Sequence, residues 1–216
     1  MRLTAADAAV ARAALRRCGV QCIEPGEQQL TRVALQPSKL DDGRAAALVR
    51  ELDAAAATPM VQATLLDAVS ELLLCDSSPQ GAVASQKLRR VLHRAGFAQA
   101  ALRALATHVA HACLAQKAFQ ALSYLNVWEL AVDVEEAVVR ETLAWACRDA
   151  ASPREESGGG GAAHGDEVTD FNSAVFEATS VFTSLSKSGE RGAACCFAAA
   201  VEADAARVST RLITLG

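Results

Sequence analysis

The fold is decided by residues 96–125, which read GFAQAALRALATHVAHACLAQKAFQALSYL. Apolar residues recur at helical spacing on either side of a short segment around His108 and His111. This pattern predicts two helices, over 97–109 and 112–127, joined by a tight turn. Alanine and leucine, both strong helix formers, fill the helix interiors. The stretch therefore predicts a helical hairpin.

The same pattern occurs earlier in the chain, at a shift of 53 residues. Gly43 falls on Gly96, and Leu52 falls on Leu105. The shift also aligns three residues of the following helix with three near the end of the hairpin: Val69, Ser70 and Leu72 with Leu122, Ser123 and Leu125. A recurring hairpin indicates a helical repeat, because each unit needs neighbours to bury its apolar face.

A third copy follows at a shift of about 42 residues, where Leu143 and Cys147 take the places of Ala101 and Leu105. Its last helix comes later, with Phe182 and Leu185 matching Leu122 and Leu125 at a shift of 60. We interpret the irregular shifts as two insertions into a repeat of about 42 residues. They are the segment 75–86 and the acidic segment 152–169, which contains four consecutive glycines and is predicted to be a flexible loop.

Prolines, glycines and capping residues divide the remaining chain into helices of ordinary length. Thr4 and Asp7 have the spacing of a capping box, and Thr58 is predicted to cap a helix that has Pro59 at its first position. The other predicted helices cover 4–18, 27–35, 40–55, 60–74, 82–94, 133–150, 171–186 and 190–213. The sequence predicts one all-α domain over 1–216, with N-terminal helices in 1–39, repeats in 40–186 and a C-terminal helix in 187–216.

Composition supports this class of fold and excludes others. Apolar residues make up 51% of the chain, aromatic residues only 4%, and about one residue in five is alanine. Because alanine favours helices over strands, an all-β fold is excluded. The net charge of −4 lacks the basic excess of a general nucleic-acid binder. One local basic run, Lys87, Arg89, Arg90, His93 and Arg94, is interpreted as a solvated helix face, with a phosphate or acidic-partner patch as the alternative.

The cysteines indicate a reducing compartment. Their number, seven, is odd, and most lie in helix-like apolar segments: Cys18, Cys22, Cys75, Cys113, Cys147, Cys195 and Cys196. No CxxC pair occurs, so no metal site is predicted. No 18-residue apolar run occurs, so we expect a soluble protein. We expect a cytoplasmic location, including association with the cytoskeleton; mitochondrial import is the alternative, because the N-terminus is rich in Ala, Arg and Leu.

The repeated segments resemble the armadillo repeat. The resemblance rests on residues 92–105, LHRAGFAQAALRAL, followed by residues 115–125, AQKAFQALSYL, and Leu40 to Leu74 is similar in the same way. It extends over residues 40–186, with the third repeat degenerate. The resemblance implies a right-handed α-solenoid of about three repeats, whose third helices line a concave face.

On this alignment the outward positions of the third helices form a polar stripe. One pair, each at i and i+4, comes from each repeat: Asp67 and Glu71, Gln120 and Tyr124, Ser180 and Ser184. Nuclear-import adaptors of this family carry Trp and Asn at these positions, and this chain does not, so an importin-like peptide reader is disfavoured. Asp67 and Glu71 point to a basic element in the partner, with ordinary solvated carboxylates as the alternative. Trp128 and Phe197 are further candidate interface residues, although Trp128 also fits a helix–helix seam.

No catalytic motif is present in the sequence. His108 and His111, near Cys113, form the best cluster of reactive side chains, but HExxH, GxSxG and nucleotide-binding glycine motifs are absent. We therefore expect a non-enzymatic protein without a cofactor, acting as a scaffold or adaptor for protein partners in a homo-oligomer or larger complex. The alternatives are a structural subunit of a cytoskeletal, axonemal or organellar assembly and a small helical enzyme that uses one of these histidines as a base.

Overall fold

The computed structural model describes residues 3–20, 22–23, 32–33, 40–74, 79–125, 132–146, 172–181, 183, 194 and 198. The described part is helical apart from its turns and one two-residue ladder, which confirms the all-α prediction. Its helices are α1 Ala5–Arg17, α2 Asp42–Ala54, α3 Pro59–Leu73, α4 Pro79–Arg94, α5 Phe97–Thr107, α6 Ala112–Leu125, α7 Val132–Ala146, and α8 over 172–181.

The start of α1 follows its local sequence signal. The Asp7 backbone N–H donates to Thr4 Oγ1 at 3.1 Å, and the Asp7 carboxylate accepts from the Thr4 backbone N–H, so the predicted capping box is confirmed. At α3, Pro59 occupies the first turn as predicted. The Thr58 side chain does not cap this helix, however, because its hydroxyl donates to the Ala55 carbonyl of the preceding turn. That detail of the prediction is wrong.

The helices pack in two series of neighbours. In the first series α1 packs against α3, α3 packs against α6, and α6 lies beside α8. In the second series α2 packs against α5, and α5 packs against α7. The α3–α6 contact is the most extensive one among α1 to α7. Helix α4 contacts α2, α3, α5 and α6 and so joins the two series.

The ends of the first two hairpins repeat at a fixed spacing. Ala54, the last residue of α2, and Thr107, the last residue of α5, are 53 positions apart. Pro59 and Ala112, which begin α3 and α6, are also 53 positions apart. Because α2 packs against α5 and α3 against α6, helices that match in sequence position are also neighbours in space.

Helix α3 is the centre of the described core. Every residue from Met60 to Ser70 is buried, including the polar side chains Gln62, Thr64 and Ser70. The hydroxyls of Thr64 and Ser70 donate to the carbonyl oxygen one turn earlier, and Gln62 Nε2 donates to the Leu52 carbonyl at 3.0 Å. Polar groups inside a protein need such partners because burial removes their bonds to water.

A small antiparallel ladder replaces part of a predicted helix. Strand β1, Cys22–Ile23, pairs with β2, Arg32–Val33, and β2 packs against α3. The predicted helix over 27–35 is therefore wrong at Arg32 and Val33. The sequence around Val33 has no periodicity strong enough to distinguish a short helix from a strand. In the structure, the extended segment β2 packs against α3.

Helix α4 starts earlier than the sequence indicates. It begins at Pro79, so the segment 75–86, interpreted as an inserted loop, is helical from Pro79 onward. Proline is compatible with the first turn of a helix because the N–H that it lacks has no helical partner there. From Pro79 onward, the residues that were interpreted as an insertion thus form the first half of α4. The predicted loop at 152–169 lies outside the described residues.

One aromatic pair lies in the described core. The rings of Phe119 on α6 and Trp145 on α7 meet edge to face, with centroids 6.2 Å apart.

Among the helices that the structure describes, none is long and apolar enough to cross a membrane.

Candidate partner-binding groove

Asp67 does not face outward as predicted. It is buried on α3, and its carboxylate lies 2.7 Å from Nζ of Lys117 on α6. The side chains are only 11% and 19% exposed, respectively. The predicted role of Asp67 as a free acidic contact for a partner is wrong, because the carboxylate already neutralises a lysine of the neighbouring helix.

Glu71, one turn further along α3, is exposed. The only other exposed residue of this helix and its C-cap is Leu74, which is 50% exposed. Since the rest of α3 is covered, the predicted stripe is open on α3 only at its C-terminal end.

The α6 part of the stripe is partly covered. Gln120 and Tyr124 are both half-buried, and Tyr124 packs against the core. The Oε1 atom of Gln120 is buried and accepts no hydrogen bond from any residue that the structure describes. A buried acceptor without a donor costs free energy, and because this oxygen is withdrawn from the surface it is not itself a contact for a partner.

A pocket of about 350 Å³ lies between α6 and α8. It is lined by Gln116, Asn172, Ser173, Phe176 and Glu177. Phe176 is 71% exposed, the highest value among the large apolar side chains in the described ranges. An exposed aromatic ring beside amide, hydroxyl and carboxylate groups is typical of a protein-binding surface.

Sequence reasoning missed Phe176, Glu177 and Lys117. Ser180, which was predicted for the groove, is half-buried on α8, one turn after Phe176. The helical spacing that selected Ser180 would also have selected Phe176 if the stripe had been extended by one turn. Ser184, Trp128 and Phe197, the other predicted contacts, lie outside the described residues.

Glu177 is the acidic group of the pocket. Burial raises the pKa of its carboxyl group, and the positive charge of Lys117 opposes this rise. Lys117 is paired with Asp67 at 2.7 Å, and its attraction for the Glu177 carboxylate has a smaller effect on this pKa than burial has. A cation brought by a partner would stabilise the Glu177 carboxylate.

The predicted basic run is divided between two roles. Arg89 Nε donates to the Tyr124 carbonyl at 2.8 Å, and His93 Nε2 lies 3.1 Å from the Leu125 carbonyl oxygen. These contacts bind the C-terminal end of α6, where cations are favoured by the helix dipole. Arg94 pairs with Asp42 at 2.8 Å, whereas Lys87 and Arg90 are exposed, which is compatible with a solvated helix face and with a patch for an acidic partner.

The two histidines considered for catalysis make contacts with backbone groups. His108 Nε2 lies 2.7 Å from the Ala56 carbonyl and connects the α5–α6 turn to the α2–α3 turn. His111 Nδ1 accepts from the Leu114 backbone N–H at 3.2 Å, at the start of α6. Among the described residues, no group of three or more His, Cys, Asp or Glu side chains is placed to hold a metal ion.

Comparison with known proteins adds no relative. No protein-family model, curated protein or solved structure matches this chain.

Proposed function

We propose that the chain is a protein-interaction scaffold, built as a right-handed α-solenoid of about three armadillo-like repeats. The proposal is supported by the common 53-residue spacing of α2–α3 and α5–α6 and by the packing of α2 on α5 and α3 on α6. The continuation of both series through α7 and α8 fits a third repeat. Repeats that stack in this way produce an extended surface suited to binding other proteins.

The observation that carries the proposal is the pocket at Phe176. The ring is exposed, although burying it against a partner would remove a large apolar surface from water. Glu177 and Gln116 line the same pocket, and Gln120 lies one turn from Gln116 on α6. We therefore propose that the binding groove runs along α6 and α8, with Glu71 at its α3 edge. Asp67 is not among its contacts, because it is paired with Lys117.

The groove fits a partner segment that combines an apolar side chain with a basic one. The apolar group would cover Phe176, and the basic group would pair with Glu177, whose carboxylate lies close to the engaged Lys117. Half-buried charge pairs of this kind contribute more to specificity than to affinity.

The test is affinity purification of the full chain, with quantitative comparison of the copurified proteins. Phe176→Ser and Glu177→Lys should each release the same partner, whereas Val109→Ser should retain it. Val109 is a matched control because it is an apolar residue with 52% exposure, located in the α5–α6 turn. If Phe176→Ser and Val109→Ser retain identical sets of proteins, the groove is not the binding site.

A further inference from the structure

Charge is distributed unevenly along the chain, and the excess of positive charge falls on α4 to α6. Between Asp76 and Glu129 the sequence contains no acidic residue and six Lys or Arg residues. A segment of this kind must find its counter-charges elsewhere in the fold, or present its cations to solvent or to a partner.

Four of the six cations have partners in other helices. Lys117, Arg94 and Arg103 pair with aspartates, at distances of 2.7, 2.8 and 2.8 Å, and Arg89 donates to the Tyr124 carbonyl. The remaining two are Lys87 and Arg90, both on α4 and both exposed. Neither makes an ion pair within the part of the chain that the structure describes.

Lys87 and Arg90 share a helix face with an exposed apolar residue. Val83, one turn before Lys87, is 69% exposed, and Gln86 beside it is also exposed. Residues three, four and seven positions apart lie on one stripe of a helix. The other side of α4 is buried through Leu88, Val91 and Leu92. We call Val83, Gln86, Lys87 and Arg90 the α4 stripe.

The α4 stripe is held in place by its neighbours. Arg89 and His93 bind the end of α6, and Arg94 binds Asp42 of α2. Ser85 is buried and its hydroxyl donates to the Leu73 carbonyl at 3.1 Å, which fixes the first half of α4 against α3. Little backbone entropy would be lost when a partner binds a helix that its neighbours already hold in place, so the entropy cost falls on the side chains of Lys87 and Arg90.

We infer that the α4 stripe docks an acidic amphipathic helix of a partner protein. The α4 stripe presents two cations and one apolar side chain over about two helical turns. A partner helix with glutamates or aspartates and an apolar side chain on one face would complement it. Nucleic acid fits less well, since duplex binding draws on many more phosphate contacts than two and the chain has a net charge of −4. An anionic membrane also fits less well, because membrane-surface helices insert a broad face of large apolar residues.

This surface is separate from the groove at Phe176 and has the opposite charge preference. The groove selects a basic segment, whereas the α4 stripe selects an acidic one. A scaffold with both surfaces would bind two chemically different partners at once. The inference does not depend on the groove, because the two sites share no residue.

The experiment measures fluorescence anisotropy of a labelled synthetic peptide, an amphipathic helix with glutamates and leucines on one face, titrated with the full chain. The variant Lys87→Glu/Arg90→Glu should weaken binding by about tenfold, since two exposed ion pairs become repulsive contacts. The control is Arg12→Glu/Arg16→Glu, which makes the same charge change on α1, at one half-buried and one exposed arginine, and should bind as the unchanged chain does. A peptide with glutamine in place of glutamate should bind more weakly, and added salt should weaken the glutamate peptide.

Three results would overturn the inference. In the first, the glutamate peptide does not bind the unchanged chain measurably. In the second, the α4 and α1 variants weaken peptide binding equally. In the third, a duplex DNA probe binds more tightly than the peptide does, and this binding is lost in the Lys87→Glu/Arg90→Glu variant. Circular dichroism checks that each variant keeps its helicity. If the charge reversal unfolds the chain, Lys87→Gln/Arg90→Gln replaces it, and unchanged peptide affinity in that folded variant also overturns the inference.

Discussion

Lys117 Nζ lies 2.7 Å from Asp67 Oδ1, and this pair joins α3 and α6, which share the most extensive packing among α1 to α7. Both side chains are largely withdrawn from water. The Arg103–Asp53 pair between α5 and α2 has almost the same distance, 2.8 Å, but its side chains are 55% and 45% exposed. The two pairs therefore allow the effect of burial on an interhelical ion pair to be measured within one protein.

We expect Asp67→Asn to lower the free energy of unfolding by about 1–3 kcal/mol, because it leaves the Lys117 ammonium buried without its counter-charge. Asp53→Asn should cost less than about 1 kcal/mol, since water screens the exposed pair. Urea denaturation followed by circular dichroism measures both. Equal losses in the two variants would show that burial adds nothing to the Asp67–Lys117 pair.

The helix pattern could be predicted from sequence because its signals are local. The Thr4–Asp7 capping box, Pro59 in the first turn of α3 and Gly96 before α5 all act within a few residues. The start of α4 was missed because Pro79 has two local interpretations, a loop residue or a first-turn residue. The β1–β2 ladder was missed because its two-residue strands contain no periodicity.

The site was harder to predict because it depends on contacts between distant residues. Asp67 and Glu71 are equivalent acids on one stripe of a helix, and only the position of Lys117, on another helix, makes Asp67 internal. Phe176 could have been found from helical spacing alone. Its exposure, in contrast, depends on how α8 lies beside α6, which no local pattern determines.

Gly43 and Gly96 occupy equivalent positions in the sequence repeat but differ in backbone conformation. Gly96 adopts φ = 77° before α5, a left-handed conformation that strains residues with a Cβ atom, whereas Gly43 lies in the first turn of α2. Gly96→Ala should therefore destabilise the fold by about 1–2 kcal/mol. Gly43→Ala should leave stability unchanged or raise it by up to about 1 kcal/mol, because alanine favours a helix. Thermal unfolding of the two variants distinguishes these effects, and a loss at Gly43 as large as at Gly96 would contradict the argument.

The thiol of Cys18 should react slowly with alkylating reagents in the folded protein. It is fully buried, and burial raises the pKa of its thiol to about 11, with the nearby charge of Glu51 adding to the rise. At pH 8 only about one thiol in a thousand would then be ionised, and the thiolate is the reactive form. Iodoacetamide labelling read by peptide mass spectrometry should leave Cys18 unmodified until urea is added, while the partly exposed Cys113 reacts in the folded state. Equal labelling of the two in the absence of urea would disagree with this burial.

Glu177 and Glu51 should give the stability of the protein opposite dependences on pH. Burial raises the pKa of Glu177 in the folded state, so folding disfavours its charged form and its contribution to stability falls as pH rises through the carboxyl range. The hydrogen bond from Arg17 lowers the pKa of Glu51, so its contribution is present above the unfolded pKa and is lost as pH falls.

Replacing each glutamate by glutamine removes one of these dependences at a time. Relative to the unchanged chain, Glu177→Gln should gain stability between acid and neutral pH, whereas Glu51→Gln should lose it over the same interval. Both effects should be small, because water screens partly exposed carboxylates. Urea midpoints measured at several pH values give the dependence of stability on pH for each variant.

A partner that binds the groove should reduce the contribution of Glu177 to this dependence if a basic side chain of the partner pairs with the carboxylate, since a nearby cation favours the charged form. A slope that the partner leaves unchanged would mean that Glu177 does not receive the basic group.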